Sequence, residues 1–203
     1  MILRNSLNFI SQISSSTLRQ IRNIYLISDY YDKKISKIYN EDIFYKPSPH
    51  LLSSLIKYQS KKINVDNIAT ENLWDNESIS NKNFRKLNSF YWFFSLDLKS
   101  SKKKTQKIIS NWIEKNYKYN SKSWEFDLTS KRIIAWLSNH NLTVQENDKD
   151  YLNLLNKMIQ KQTNHLMNEI NNSKIIDDKM IGCAAIILVG LCYKDEKNYI
   201  PYG

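Results

Sequence analysis

The sequence predicts an all-α fold of stacked antiparallel helical hairpins behind an irregular N-terminal arm. Three observations lead there. Over residues 84–193, aromatic and aliphatic residues recur at helical spacing: Phe90, Trp92, Phe93 and Leu96; Ile108, Ile109, Trp112 and Ile113; Ile133, Ile134, Trp136 and Leu137. Glycine and proline, three of each, are too scarce to punctuate a sheet with tight turns. Each expected helix has one broad apolar face and is too short to be stable alone, so neighbours must stack.

The elements are taken in chain order. Residues 3–39 show helical spacing at Leu18, Ile21, Ile24, Tyr25 and Ile27, then at Ile35 and Ile38. The stretch 42–83 is the least regular, because Pro47 and Pro49 restrict the backbone and Asn, Ser and Lys dominate its later part. Within it, the alternation over 62–66 reads as a short strand or extended segment, and Trp74 is expected to pack back onto the helices. Helices are then expected over 84–98, 102–117, 128–140, 148–171 and 177–193. Ser100 or Ser101 can cap the second and Asp127 or Thr129 the third, while Asp148 opens the fourth. Short connections make successive helices antiparallel. The chain thus divides into an arm, 1–83, and a helical body, 84–203.

Composition bounds function loosely. A hydrophobic content of 41% with 12% aromatics favours a folded chain. The net charge of +10 suits an anionic polysaccharide or a nucleic acid without choosing between them. Lysine-rich, isoleucine-rich and asparagine-rich usage fits an AT-biased genome, so the surplus reads first as solvated faces. No helix-turn-helix, RRM or zinc pattern is present, which argues against nucleic acid as a partner. Cys183 and Cys192 lie too far apart along one helix for a disulfide and lack zinc-site spacing, so no metal or cofactor is expected. The apolar run 180–193 falls short of the roughly 20 residues that span a bilayer. Arg4, Asn5, Asn8 and Gln12 interrupt the first apolar stretch, which argues against a secretory signal. Bacterial cytoplasm and periplasm both remain open.

The order of several words adds a resemblance. Asn88-Ser-Phe-Tyr-Trp-Phe-Phe-Ser-Leu-Asp-Leu98 precedes Ile109-Ser-Asn-Trp-Ile-Glu-Lys-Asn116. Trp124 comes next, then Leu128-Thr-Ser-Lys-Arg-Ile-Ile-Ala-Trp-Leu-Ser-Asn139 and Ala184-Ala-Ile-Ile-Leu-Val-Gly-Leu-Cys-Tyr193. This succession, covering 74–193, resembles the N-terminal helical domain of heparinase II/III-like proteins, a group that includes polysaccharide lyases. The resemblance implies an incomplete α/α toroid followed by β-sandwich domains. It also implies β-elimination, in which the proton at C5 of a uronic acid is abstracted and the C4 glycosidic oxygen expelled, with tyrosine and histidine as base and acid and an asparagine, glutamate or histidine helping to neutralise the substrate carboxylate. On this reading the partner is an acidic polysaccharide, the remaining toroid and β-sandwich domains lie beyond Gly203, and this chain alone is a catalytically inactive fragment. One departure stands out. Asp177 and Asp178 occupy the place of an Asn-His pair found in many lyase members, and two carboxylates there would repel an anionic sugar.

Six residues are candidates for substrate binding: Trp92, Trp124, Arg132, Trp136, Asn139 and His140. The indoles could stack on sugar rings or fill the core. Arg132 offers a planar fork to a substrate carboxylate or to a structural acid such as Asp127. Asn139 and His140 form either a site pair or a helix-end cap. Asn164 and His165 read as surface or packing. Tyr117 and Tyr119 could supply a phenol, but the sequence sets no histidine beside any tyrosine, so no catalytic residue is assigned. A rival reading is a helical-repeat scaffold for a protein partner. Exposed apolar residues favour the scaffold; inward-facing Trp, Arg, Asn and His favour the sugar site.

Overall fold

A computed structural model describes residues 17–39, 43–47, 63–68, 73–74, 80–97, 99–144, 148–194, 199 and 201. Arg4, Asn5, Asn8, Gln12, Pro49 and His50 lie outside them. The described residues are all-helical apart from turns, connections and one isolated parallel bridge, Ile63 to Leu96. The helices are α1 (17–27), α2 (Asp29–Ile35), α3 (Asn81–Asn88), α4 (Lys102–Asn116), α5 (Phe126–Ser138), α6 (His140–Thr143), α7 (Lys149–Glu169) and α8 (Ile176–Cys192). None is long and apolar enough to cross a membrane.

Local chemistry sets the boundaries. Ser101 caps α4, its hydroxyl accepting from Lys104 N at 3.3 Å, whereas Ser100 Oγ accepts from Val65 N. Asp148 caps α7 by accepting from Tyr151 N at 3.0 Å. Two expected boundaries move. The helix expected over 84–98 ends at Asn88; Phe90 turns left-handed, and Tyr91–Ser95 form a 3-10 turn. That break sends the aromatic run into the core from several directions instead of along one helical face. The helix expected from 128 starts at Phe126, with Glu125 at its N-cap, because Asp127 is drawn into ion pairs and does not cap.

The main stack is α4, α5, α7 and α8, with α5 in contact with both α7 and α8. Its helices run antiparallel in succession. Arg132 in α5 bonds Gln162 in α7, His165 further along α7 reaches Trp124 just before α5, and Tyr193 after α8 bonds Asn156 early in α7. Gly182 lets α8 approach α5 closely, since a Cβ there would stand 2.4 Å from the Phe126 ring.

Residues on both sides of position 83 share one hydrophobic core, which includes Leu26, Tyr31, Ile35 and Val65 with the helical body. The α2 segment is pinned to α7 by polar contacts. Asn164 Nδ2 donates to the carbonyls of Ile35 and Lys37, both at 2.8 Å, and buried Lys161 pairs with Asp32 at 2.7 Å. Trp74 stacks on Phe90 and donates its indole N–H to Ile108 O, as the sequence leads one to expect.

Candidate functional site: a cleft at the helix ends

The start of α5, the end of α7 and the start of α8 converge at one end of the stack. With Arg22 of α1, Arg85 of α3 and the connection before α5, they enclose a cleft of about 400 Å³. Tyr119, Trp124 and Phe126 supply aromatic walls, and His165 lies among the lining residues.

The charges in the cleft are largely committed. Arg22 pairs with Glu169, and Arg85 pairs with Glu125 and with both oxygens of Asp127, at 2.7 and 2.8 Å. Lys131 adds a third contact to Asp127 at 2.9 Å. Burial pushes the Asp127 carboxyl up, but Lys131 and Arg85 outweigh it and hold the group below its ordinary value. Asp178 moves the other way: burial and the neighbouring Asp127 raise it, against weaker opposition from Lys131 and Arg85. The lining therefore carries Glu125, Asp127, Glu169 and Asp178 against only Arg22 and Arg85. Such a rim disfavours a carboxylate ligand and tolerates a hydroxyl-rich or cationic one.

Behind the cleft, Tyr31 and His165, 134 residues apart in sequence, are hydrogen-bonded at 2.8 Å. The carbonyl of Trp124 lies 3.2 Å from His165 Nε2 and can only accept, so Nε2 carries the proton and Nδ1 accepts from the Tyr31 hydroxyl. Both side chains are buried. Burial raises the Tyr31 phenol far above neutrality and lowers the His165 ring to about 3. A neutral, poorly basic imidazole beside a phenol that resists ionisation is suited to packing more than to proton abstraction at neutral pH.

The His165 shift predicts a pH dependence. Between about 6.5 and about 3 the unfolded chain binds a proton that the folded chain refuses. The His165 contribution is thus fully present above pH 6.5 and falls on acidification, by up to about 1.4 kcal/mol per unit. His165→Phe should lower stability at pH 7 by about 2 kcal/mol, stranding the Tyr31 hydroxyl and the Trp124 carbonyl. It should also flatten the slope between pH 6 and pH 4. Urea titrations at several pH values check both effects, and an unchanged slope would contradict the assignment.

The six sequence candidates do not converge. Trp124 alone lines the cleft, and it is 1% exposed, with its indole N–H donated to Asn116 O at 2.9 Å. Trp92 donates to Leu87 O, and Trp136 packs against Phe90 and Trp112. Asn139 closes α5, its Nδ2 donating to Ala135 O at 2.8 Å. His140 opens α6 and meets Pro47 O at 3.0 Å; burial lowers its pKa.

Arg132 is fully buried, and its partner is not Asp127. Nε donates to Gln162 Oε1, Nη1 to the carbonyls of Asn88 and Ser123, and Nη2 to Thr129 Oγ1. The guanidinium lies 4.0 Å from the Trp112 ring centroid, and Trp112 in turn donates to Asn88 Oδ1.

Sequence reasoning missed the Tyr31–His165 pair because nothing local links two residues so far apart. It also missed the Lys131–Asp127 pair, whose i,i+4 spacing is a local signal that could have found it. Among the described residues no group of His, Cys, Asp and Glu could hold a metal ion. No protein-family description, no curated protein and no solved structure matches this chain.

Proposed function

We propose that this chain is the N-terminal helical portion of a heparinase II/III-like protein. In this reading it forms part of an incomplete α/α toroid that shapes one wall of a groove for an acidic polysaccharide. The observation that supports it is the stack itself. Three of the words that carry the resemblance fall on α4, α5 and α8 of that stack, the first falls on the end of α3 and the 3-10 turn after it, and Trp112, Trp124 and Trp136 are buried among them. The contribution of this part is shape. Tyr31 and His165 are protonated wrongly for abstraction, Arg132 is consumed by neutral acceptors, and Asp178 sits where a substrate carboxylate would be repelled. The eliminating residues and the groups that neutralise a uronate are therefore assigned to toroid and β-sandwich sequence outside this chain.

The test compares the 203-residue chain with a protein extended by the downstream coding sequence, on uronate polysaccharides. Ultraviolet absorbance of the unsaturated product is the readout. The extended protein is expected to eliminate and the shorter chain to stay silent. An extended protein without activity would remove the lyase reading.

A helical scaffold for a protein partner is the second reading. The observation in its favour is the number of exposed apolar side chains, including Leu18, Ile21 and Ile24 on α1 and Ile176, Met180 and Leu191 on α8.

A further inference from the structure

From Met180 to Cys192, α8 carries no charged residue, so it is apolar on every side. A helix of that composition belongs inside a protein. One side meets this requirement: Gly182, Ala185, Ile186, Val189 and Cys192 are buried against the stack. The opposite side is bare, with Ile176 73%, Met180 67%, Ile187 36% and Leu191 45% exposed.

These residues recur at i, i+4, i+11 and i+15, with exposed Ala184 and half-buried Cys183 filling the middle turn. The stripe is a palindrome. Reversed about the midpoint between Cys183 and Ala184, Ile176 falls on Leu191, Met180 on Ile187 and Cys183 on Ala184. Bulky residues thus flank a small-residue centre, which lets two backbones approach there. Exposed Asp177 lies at the start of the helix, and exposed Lys194 lies just past its end. Phe44 and Tyr45, whose amides donate to Cys192 O, extend the exposed aromatic surface beyond Leu191, with the Lys194 ammonium 3.5 Å over the Phe44 ring centroid.

We propose that the 203-residue chain pairs with a second copy of itself through α8, the two helices antiparallel across a two-fold axis beside Cys183. A two-fold contact must be self-complementary, and the palindrome meets that condition in shape. Reversal also opposes the two helix dipoles, and it brings Lys194 of each copy towards the 173–177 end of the other, where Asp177 and Lys174 are both exposed. Phe44 and Tyr45 of each copy then cover the Ile175–Ile176 end of its mate. The inference does not depend on the carbohydrate reading. The toroid reading would reserve the same face for a following hairpin, and on that reading the pairing is lost in the protein extended by downstream sequence.

Sedimentation equilibrium of the purified chain tests the pairing, together with copper–phenanthroline oxidation. The expected result is a concentration-dependent dimer that oxidation links covalently. Linking should persist in Cys192→Ser and vanish in Cys183→Ser. Met180→Asp and Ile187→Asp, at exposed positions that leave the core untouched, should give folded monomers by circular dichroism. A monomer at every concentration would overturn the proposal. So would a dimer that ignores both aspartates, or one that fails to link through Cys183.

Discussion

Replacing Arg132 by lysine is expected to destabilise the chain by about 3 kcal/mol, a large share of a typical domain's stability. The guanidinium is fully buried, yet among the described residues no carboxylate pairs with it. Its charge is balanced by two backbone carbonyls, the Gln162 amide oxygen, the Thr129 hydroxyl and the face of Trp112. Desolvation lowers its pKa well below the ordinary arginine value. Arginine fits because its fork reaches several acceptors in one plane while its face stacks on an indole. A lysine would bring a more strongly hydrated charge and a single donor centre, leaving some of those acceptors unmet. The network joins the end of α3, the start of α5 and the middle of α7, so the loss should lower cooperativity as well as the midpoint. Urea denaturation followed by tryptophan fluorescence measures both. A cost under about 1 kcal/mol would mean that the acceptors are readily resolvated.

Phe90 gives the second large effect, with an unusual ordering. Its ring is surrounded by Trp74, Trp92, Phe93, Trp112 and Trp136, with centroids between 5.0 and 6.0 Å. Phe90→Ala should therefore cost about 4 kcal/mol through the cavity it leaves. The backbone at Phe90 has φ 56° and ψ 8°, a left-handed conformation that a bulky side chain adopts only under compulsion. Glycine takes it freely, so Phe90→Gly should be milder than Phe90→Ala by about 1 kcal/mol. In an ordinary helix the order is reversed. Finding alanine the better tolerated would show that Phe90 relaxes out of the left-handed region.

The helices were legible where a long apolar face repeats. The helix expected over 102–117 is Lys102–Asn116, and Asp148 caps α7, because periodicity and capping are local properties. The first expected helix was overextended for a reason of the same kind. An unbroken run such as 90–94 satisfies a helical pattern and equally a turn that throws rings to every side, and only the core around Phe90 decides between them. The charged cleft was the least legible part. Arg22 with Glu169, Arg85 with Asp127 and Tyr31 with His165 are brought together by helix packing, not by spacing. Arg132 was visible as an unusual arginine, but its neutral partners were not, since buried carbonyls leave no mark on a sequence. The toroid arrangement rests on the resemblance; the structure carries its all-α, antiparallel character.

On the proposed reading the tyrosine–histidine pair behind the cleft packs the fold and performs no proton transfer, and the assignment of the chemistry elsewhere depends on this. Nuclear magnetic resonance titration of the His165 ring tests it most directly. The expected result is a ring that stays neutral until the pH falls to about 3, with its proton on Nε2 throughout. A ring that titrates near the ordinary histidine value, or one carrying its proton on Nδ1, would contradict this and restore Tyr31 and His165 as groups able to move a proton.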